Sequence, residues 1–293
     1  MIVQNIIGGL GNQMFQYACG RSLAHTRGSE LRLFLGDFEG YGLHNGYELQ
    51  RVFGISPALA SAGDLASLVG WRAGRHARRL LRLPRLAGAR GRKFVVEPSF
   101  NYWSGIDAVP GSAFLVGYWQ SERYFETTAS LVRKDFRFQG RLNGENARLA
   151  ERIRQGCSVS VHVRRGDYVA NIDSQAKHGS CGMRYYEHAA NLLLATLPSP
   201  QFFVFSDDPD WAEANLRGLF PGMVAVRGNL ASNSYFDMWL MSLCKHHVIA
   251  NSTFSWWSSW LCTNEDKIVL APRQWFASGI STPDVIPDRW TRL

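Results

Sequence analysis

The chain has 293 residues, 46% of them hydrophobic and 13% aromatic, and carries a formal net charge of +8. This composition predicts a globular protein with a sizeable core, long enough for two domains. It argues against a membrane-spanning protein, because no apolar run approaches the roughly 20 residues of a span. Five scattered cysteines argue against a disulfide framework or a structural zinc site. Because the amino terminus also lacks the pattern of a secretory signal, we expect a cytoplasmic protein.

The first half opens with a strand, a glycine-rich loop and a helix. Residues 2–7 predict a buried strand, Gly8 to Gln13 the loop, and residues 14–27 a helix with apolar positions at helical spacing. With a further strand at 31–35, this order is typical of a mononucleotide-binding fold. Backbone N–H groups at such a helix start stabilise an anion, although a tight turn with a helix cap gives the same pattern. The candidate ligand-binding residues here are Gly9, Gly11, Asn12 and Gln13.

A strongly basic segment runs from Arg72 to Lys93. It contains eight arginines, one lysine and no acidic residue, with leucines among the arginines. Such a segment could contact an anionic membrane face, bind nucleic acid, or form a solvated helical arm. No nucleic-acid motif accompanies it. We therefore expect that residues 72–93 form an insert that does not bind nucleic acid. If the insert binds a partner, we favour peripheral contact with the inner membrane face over nucleic acid.

The rest of the first half combines loops with short regular elements. Residues 36–60, rich in glycine and aromatic residues, predict loops around a cleft, and strands are predicted at 93–96 and 114–119 before a helix at 122–133. Aromatic rings suit the apolar face of a sugar, although they more often belong to a core. The aromatic candidates are Trp103, Tyr118 and Trp119.

A polar stretch at residues 139–145 is the candidate domain boundary. We expect an N-terminal domain of residues 1–145 and a C-terminal domain of residues 146–293. In the second, strands and helices alternate, which predicts a parallel sheet with helices on both faces. One predicted strand ends at Val163, and the later strands span residues 201–205, 223–226, 247–250 and 267–270. The predicted helices span residues 183–197, 232–243 and 253–262, and a further helix starts at 208–210.

Polar residues follow three of these strands, where ligands bind in open α/β sheets. After the first come Arg164 and Arg165, whose planar forks of donors match phosphate oxygens; a surface salt bridge is the alternative. After the second, Asp207 is free to accept hydrogen bonds from a guanine base or a ribose. Asp208-Pro209-Asp210 is formally a metal-binding DxD motif, but Asp208 as a helix cap explains it better.

The third strand end is followed by the start of a helix. Its hydroxyl groups and N–H groups suit a phosphate, and an aromatic side chain there suits a base, although a plain capped helix gives the same pattern. The residues concerned are Asn251, Ser252, Thr253 and Phe254. Taken together, the three strand ends predict a pocket for a nucleotide diphosphate whose charge is neutralised by arginines and not by a metal.

Three stretches carry a resemblance to a known family. His162 to Tyr168, HVRRGDY, resembles the motif shared by fucosyltransferases that make α-1,2, α-1,6 and protein O-linked fucosides. The stretches Gly8 to Tyr17, GGLGNQMFQY, and Asn251 to Ser258, NSTFSWWS, narrow the resemblance to the α-1,2-fucosyltransferases of glycosyltransferase family 11. The match runs from residue 8 to about 262 and leaves the basic insert outside any motif.

The resemblance implies a GT-B-like fold, in which two Rossmann-like domains face each other across a cleft. It implies an inverting, metal-independent transfer of L-fucose from GDP-β-L-fucose to the 2-hydroxyl of a terminal galactose, as in surface glycan or O-antigen synthesis. The donor would be bound mainly by the second half, with His162 among its contacts, and the acceptor would approach from the first. The residues expected to act in the reaction are Arg164, Asp167 and Asn12.

The catalytic base and the reaction class leave alternatives. Asp167, His162 and Asp37 are possible bases for the acceptor hydroxyl, and Asp167 could equally hold an arginine in place. The nearest alternative function is an α-1,6- or protein-directed fucosyltransferase. A nicotinamide-dependent oxidoreductase is disfavoured, because the third glycine of its fingerprint falls on Met14 and Glu30 stands before the second strand.

Overall fold

The computed structural model describes residues 1–42, 44–165 and 181–293. The chain divides into two compact units. Unit 1 comprises Met1–Gln139 and Pro283–Val285, and unit 2 comprises Gly140–Thr282 and Ile286–Leu293. The carboxyl-terminal part of the chain therefore returns briefly to unit 1. There, Asp284 accepts a hydrogen bond from the N–H of Tyr102 (3.0 Å) and pairs with Arg123 (2.8 Å).

Unit 1 is built on a parallel sheet of four strands in the order β2-β1-β4-β3. The strands are β1 (Ile2–Asn5), β2 (Leu31–Phe34), β3 (Phe94–Val96) and β4 (Ala113–Val116). β1 lies in the interior of the sheet, where Ile2 pairs with Leu31 on one side and Ala113 on the other. All four residues of β1 are buried, as expected for a strand covered on both faces.

Helices pack on this sheet. The α-helices are α1 (Leu10–Thr26), α2 (Leu49–Phe53), α3 (Ala62–Val69), α4 (Arg75–Leu81) and α5 (Ala129–Asp135); short 3₁₀ turns span Gly36–Phe38, Gly70–Ala73, Pro84–Ala89, Ser104–Ala108, Glu122–Tyr124 and Glu126–Thr128. α1 is buried on almost every side, because its small residues allow close packing. A Cβ on Gly20 would lie only 2.9 Å from the Cβ of Gln4 in β1.

The basic segment is folded onto unit 1 and is not a solvated arm. Arg78 is only 7% exposed. Its guanidinium lies 3.2 Å from the carboxylate of Asp37 and 4.6 Å from the ring centroid of Phe34. Arg82 pairs with the other oxygen of Asp37, and Leu81 is buried in the same hydrophobic cluster as Phe34. Asp37 thus anchors the segment to the sheet.

Unit 2 contains a parallel sheet of six strands in the order β10-β9-β8-β5-β6-β7. The strands are β5 (Ser158–Val163), β6 (Gln201–Ser206), β7 (Val224–Ala225), β8 (His246–Val248), β9 (Val269–Ala271) and β10 (Thr291–Arg292). The helices are α6 (Gly144–Gln155), α7 (Met183–Thr196), α8 (Pro209–Leu216), α9 (Tyr235–Leu243) and α10 (Thr253–Leu261), with a 3₁₀ turn at Ala231–Asn233.

Both faces of the second sheet are covered by helices. Alternate residues of a strand point to opposite faces, and in β6 the two sets of residues pack against different helices. In β6, Phe202 and Val204 belong to a hydrophobic cluster that includes residues of α7 and α8. Phe203 and Phe205 belong to a second cluster with residues of α6 and α9. This arrangement confirms the predicted α/β class with parallel sheets and helices on both faces.

Some elements differ from the sequence-based expectation. The helix predicted from Glu122 begins as two 3₁₀ turns and becomes α-helical only at Ala129. The strand predicted at 267–270 is not the final one, because β10 adds to the sheet beside it with only two residues. α2, α3 and α6 were not predicted, and α2 lies within residues 36–60, where only loops were expected. Within the described part of the chain, no helix combines the length and apolarity needed to cross a bilayer.

The first prediction concerns the anchor of the basic segment. Asp37→Ala leaves the buried guanidinium of Arg78 without its carboxylate, so we expect a loss of about 2–4 kcal/mol of unfolding free energy. The arginines of the segment should then become accessible to trypsin in the native protein. Urea denaturation and timed trypsin digestion measure the two effects. Glu145→Ala removes the exposed pair with Arg148 and serves as a control; equal behaviour of the two variants would contradict the anchor.

Candidate functional site

The structure places the three polar strand ends of unit 2 next to one another. β5 pairs in parallel with β6 along its full length, from Ser158 opposite Gln201 to Val163 opposite Ser206. On its other side β5 pairs with β8. The chain adds β6 and β7 on one side of β5 and then β8, β9 and β10 on the other. The edge beyond β5 and β8 is therefore a topological switch point, where open α/β sheets bind ligands.

Asp207 holds the two arginines that follow β5. One of its carboxylate oxygens lies 3.3 Å from a terminal nitrogen of Arg164, and the other accepts the backbone N–H of Arg165 at 2.8 Å. The prediction that Asp207 is free over the sheet is therefore wrong. Hydrogen bonds in which a carboxylate accepts from arginine are stronger than neutral ones, and through its two contacts Asp207 orients Arg164 and Arg165.

Arg165 is held by an aromatic ring as well. Its guanidinium carbon lies 3.8 Å from the ring centroid of Trp211, and its Nε lies 3.7 Å from Asp208. Trp211 was not predicted as a site residue, and the signal for it in the sequence is its position three residues after the helix cap Asp208. The side chains of Arg164 and Arg165 remain about one quarter exposed. The Nε of Arg165 is buried and has no hydrogen-bond partner among the described residues.

The acidic residues after β6 act as the capping interpretation predicts. An oxygen of Asp208 accepts the N–H of Trp211 at 3.1 Å, with Pro209 in the first turn of α8. Asp210 pairs with Arg227 (2.8 Å) at the surface. In residues 1–42, 44–165 and 181–293, no group of three or more His, Cys, Asp or Glu side chains is arranged to hold a metal ion.

The start of α10 forms the third part of this edge. Ser252 caps the helix by accepting the N–H of Phe254 at 3.3 Å, and Thr253 and Phe254 are partly exposed. Asn251 is buried and donates to the carbonyl of Trp275 (3.3 Å). The helix behind these residues is fixed in the core by three buried tryptophans, Trp256, Trp257 and Trp260. Its N-terminus can therefore present partial positive charge at a fixed position.

His162 is the next-to-last residue of β5. Its ring is 6% exposed and lies 6.0 Å from the ring of Phe254. Burial, assisted by the positive charge of Arg164, lowers the pKa of His162 to about 3. The imidazole is therefore neutral at physiological pH and a poor proton acceptor there. Its Nδ1 has no hydrogen-bond partner among the described residues.

The glycine-rich loop of unit 1 is held tightly by its own contacts. Gly8 adopts φ +90°, which only glycine adopts without strain. The N–H groups of Asn12 and Gln13 both donate to the carbonyl of Gly9 (2.9 and 3.1 Å), so neither is available to an anion. The side-chain oxygen of Asn12 accepts from Gln120 (3.0 Å). Gly9 and Asn12 are partly exposed, while Gly11 is buried.

Gln13 has a bracing role inside unit 1. Its amide nitrogen donates to the carbonyls of Gly8 (2.8 Å) and Gly46 (2.7 Å), and its oxygen accepts the N–H of Glu48 (2.9 Å). The residue is completely buried. Its position therefore supports a role in holding two loops together; direct contact with a ligand remains a prediction. Asp167 lies outside the described residues, so its assigned role also stays a prediction.

Glu97, which was not predicted as a site residue, lies at the carboxyl edge of the first sheet. It follows β3 and accepts the N–H groups of Tyr118 (2.7 Å) and Trp119 (2.9 Å) after β4. These bonds support Trp119 at φ 56°, a backbone conformation that is unfavourable for a bulky residue. Trp119 is fully buried, so it cannot stack on a sugar. Tyr118 is 39% exposed and lies parallel to Phe100, with ring centroids 6.0 Å apart.

Comparison with known proteins identifies relatives over the whole chain. Residues 106–292 match the family model described as Glycosyl transferase family 11. The chain is 34% identical over 294 residues to an α-1,2-colitosyltransferase of Escherichia coli, covering 100% of this chain and 99% of that protein. It is 27% identical over 276 residues to galactoside α-(1,2)-fucosyltransferase 2 of Hylobates lar, covering 91% of this chain and 70% of that one.

Among solved structures, NodZ α-1,6-fucosyltransferase soaked with GDP-fucose is similar, with a TM-score of 0.53 and 14% sequence identity. The similarity covers 89% of this chain and 91% of that protein. At this identity the likeness shows the fold alone, and it confirms the predicted GT-B-like class.

A second prediction follows from the environment of Glu97. Burial raises the pKa of this carboxyl from 4.5 to about 7, although the two N–H donors act in the opposite direction. Because the pKa of Glu97 is higher in the folded protein, its protonated carboxyl contributes fully to the unfolding free energy below about pH 4.5. This contribution is lost as the pH rises through about 7. We expect this loss to be on the order of 2 kcal/mol, because the side chain is only partly buried.

Urea denaturation of the wild type and of Glu97→Gln across this pH range measures the effect. The variant should show a flatter dependence of unfolding free energy on pH, since its amide does not titrate. Glu145→Gln, at an exposed position, is the matched control and should follow the wild type. Parallel curves for the wild type and Glu97→Gln would contradict the assignment.

Proposed function

The chain belongs to glycosyl transferase family 11, and from this premise we propose that it transfers L-fucose from GDP-β-L-fucose to the 2-hydroxyl of a terminal β-galactoside. The product is an α-1,2 link, formed with inversion at the anomeric carbon. Two observations support the linkage: the names of the colitosyltransferase and of the galactoside fucosyltransferase both specify α-1,2 transfer. The names of these relatives support α-1,2 glycosyl transfer as the reaction. The residues of unit 2 support a nucleotide diphosphate sugar as the donor.

The observation that carries the donor assignment is the adjacency of three polar strand ends on β8, β5 and β6. Arg164 and Arg165 bring two guanidinium groups to this edge, and α10 brings its capped N-terminus. Both are groups that bind phosphate oxygens. The side chains of Arg164 and Arg165 remain about one quarter exposed, so part of each side chain is accessible to such an oxygen. We therefore assign the pyrophosphate of the donor to this edge of unit 2.

The same groups act on the reaction itself. As the bond to fucose breaks, negative charge grows on the β-phosphate oxygen of the leaving nucleotide. Donors that are already oriented stabilise this charge without reorganising, which lowers the barrier to the chemical step. Asp207 supplies the orientation, because it binds the guanidinium of Arg164 and the backbone of Arg165. No divalent metal is required by this arrangement, since cationic side chains perform its electrostatic role.

Two of the three possible bases have unfavourable environments. His162 remains neutral and is a weak base, because burial lowers its pKa to about 3. Asp37 is paired with Arg78 and Arg82, so its carboxylate is already engaged. We therefore retain Asp167 as the base of the proposed mechanism. A loose, oxocarbenium-like transition state requires only weak assistance from a base, since the acceptor hydroxyl loses its proton late.

GDP-colitose is a second candidate donor. The observation that favours it is the 34% identity to an α-1,2-colitosyltransferase over the whole chain, against 27% to the galactoside fucosyltransferase. Colitose is L-fucose without the 3-hydroxyl. A site that hydrogen-bonds this hydroxyl rejects the deoxy sugar strongly, whereas a site that packs apolar groups against the position does not reject fucose strongly. The ratio of the two transfer rates therefore reports the chemistry around the 3-position.

The function is tested by incubating the protein with GDP-fucose or GDP-colitose and a panel of β-galactosides. We expect transfer of fucose to a terminal galactose, with an α-1,2 link established by NMR of the product. An α-1,6 link or transfer to a polypeptide would favour the other fucosyltransferase classes. Preference for GDP-colitose would replace the donor while retaining the fold and the pyrophosphate site. EDTA should leave the rate unchanged; a requirement for Mn²⁺ would contradict the metal-free mechanism.

The pyrophosphate assignment predicts a specific pattern among arginine variants. Arg164→Lys and Arg165→Lys should each reduce kcat/KM for transfer by about 10²-fold, because a point ammonium does not reproduce the planar fork. Arg148→Lys replaces an exposed arginine of α6 and should retain wild-type rates. Steady-state kinetics and GDP binding by calorimetry provide the measurements. Near-normal rates in both site variants, with folded protein, would overturn the assignment.

A further inference from the structure

The arginines of the basic segment divide into two sets with different surroundings. Four of them bind the protein itself. Arg78 and Arg82 pair with Asp37. Arg72 donates to the carbonyl of Ala89 (2.6 Å), and Arg90 donates to the carbonyl of Leu81 (2.8 Å). These contacts fold the segment back on itself and fix it to unit 1, so they account for four of its nine basic residues.

The other five basic residues do not help to fix the segment to unit 1 through their side chains. They are Arg75, Arg79, Arg85, Arg92 and Lys93, all exposed. None of the five makes an ion pair or a side-chain hydrogen bond with a residue in the described ranges. No acidic residue occurs between Arg72 and Lys93 to neutralise them. The folded segment therefore presents a concentrated positive charge that the structure of unit 1 does not require.

Large apolar side chains accompany these charges at the surface. Trp71 is 64% exposed, Leu80 53% and Leu83 37%. In α4 the buried residues are Arg78 and Leu81, so Arg79 and Leu80 lie on the opposite side of the helix, and Arg75 is exposed in its first turn. The guanidinium of Arg72 lies over the Trp71 ring at 4.8 Å from its centroid. Exposed tryptophan and leucine among arginines is the composition of protein surfaces that lie in a membrane interface.

We propose that residues 71–93 form a docking surface for an anionic lipid membrane. The arginines attract the acidic headgroups, and Trp71, Leu80 and Leu83 enter the interface between headgroups and acyl chains. Charge complementarity alone would also fit the phosphates of a nucleic acid. The exposed tryptophan and leucines favour the lipid surface, because apolar side chains gain nothing from contact with a phosphate backbone. The proposal is independent of the donor and acceptor of the transfer reaction.

Co-sedimentation with vesicles tests the proposal on the full-length protein. Wild-type protein should bind vesicles of phosphatidylglycerol and phosphatidylcholine and not vesicles of phosphatidylcholine alone, and binding should weaken as salt is raised. The double variant Arg79→Glu/Arg85→Glu should bind the anionic vesicles at least about tenfold more weakly. Arg137→Glu/Arg141→Glu makes the same change of charge at exposed positions outside the segment and should bind like the wild type.

The apolar part of the surface has its own variant, Trp71→Ser/Leu80→Ser. We expect it to bind anionic vesicles more weakly than the wild type, at low salt as well as high, because it lacks the side chains that enter the interface. Circular dichroism and transfer to a soluble galactoside should be unchanged in all three double variants. Deleting the segment would not be a clean test, because Arg78 and Leu81 are part of the core of unit 1.

Four results would overturn the proposal. The first is equal binding to anionic and neutral vesicles, and the second is an equal loss of binding in the two charge-reversal variants. The third is tighter binding to a duplex oligonucleotide than to vesicles, with the Trp71→Ser/Leu80→Ser variant unaffected. That result would assign the surface to nucleic acid. Absence of binding to anionic vesicles by the wild type would likewise remove the membrane as the partner.

Discussion

Parallel pairing of β5 between β6 and β8 is the constraint on which the candidate site depends. It brings residues from three distant parts of the chain to one edge of the sheet, because parallel strands end on the same side. The loop after β5 carries Arg164 and Arg165, the loop after β6 carries Asp207, and β8 leads into α10. Buried tryptophans fix α10 and the core fixes β5, so these groups occupy defined positions before a ligand arrives. Such preorganisation is what electrostatic catalysis requires.

Two of the uses of arginine in this chain, an anchor inside the fold and a phosphate-binding group, are distinguished by the surroundings of the side chains. In the basic segment, Arg78 and Arg82 neutralise Asp37 and attach the segment to unit 1. In unit 2, Asp207 and Trp211 restrain Arg164 and Arg165 and leave both side chains partly exposed. In the first arrangement the guanidinium groups pair with a carboxylate inside the fold. The second directs the positive charge toward the edge of the sheet, where a phosphate can be bound.

The two sheets share a construction but differ in what lies at their carboxyl edges. In unit 2 the edge is lined by cationic side chains and a helix N-terminus. In unit 1 it has a braced glycine loop, the carboxyl of Glu97 and the stacked pair of Phe100 and Tyr118. An anionic donor suits the first set of groups, since they supply positive charge. In the second set, the carboxyl of Glu97 and the amide of Gln13 are engaged by backbone groups of unit 1, whereas the ring of Tyr118 is partly exposed.

Local sequence determined the elements whose signals lie within a few residues. Three such elements were predicted: the helix at residues 14–27, which in the structure begins four residues earlier at Leu10, the cap of α8 by Asp208 with Pro209 beside it, and the strand ending at Val163. Capping and periodicity are short-range effects. Only the tertiary structure revealed that Asp207 binds the backbone of Arg165, that Trp211 lies over the guanidinium, and that Glu97 supports Trp119. These contacts join residues far apart in the chain, 42 positions apart for Asp207 and Arg165. The order in which strands pack in the sheet determines which residues meet, and a local sequence pattern does not show this order.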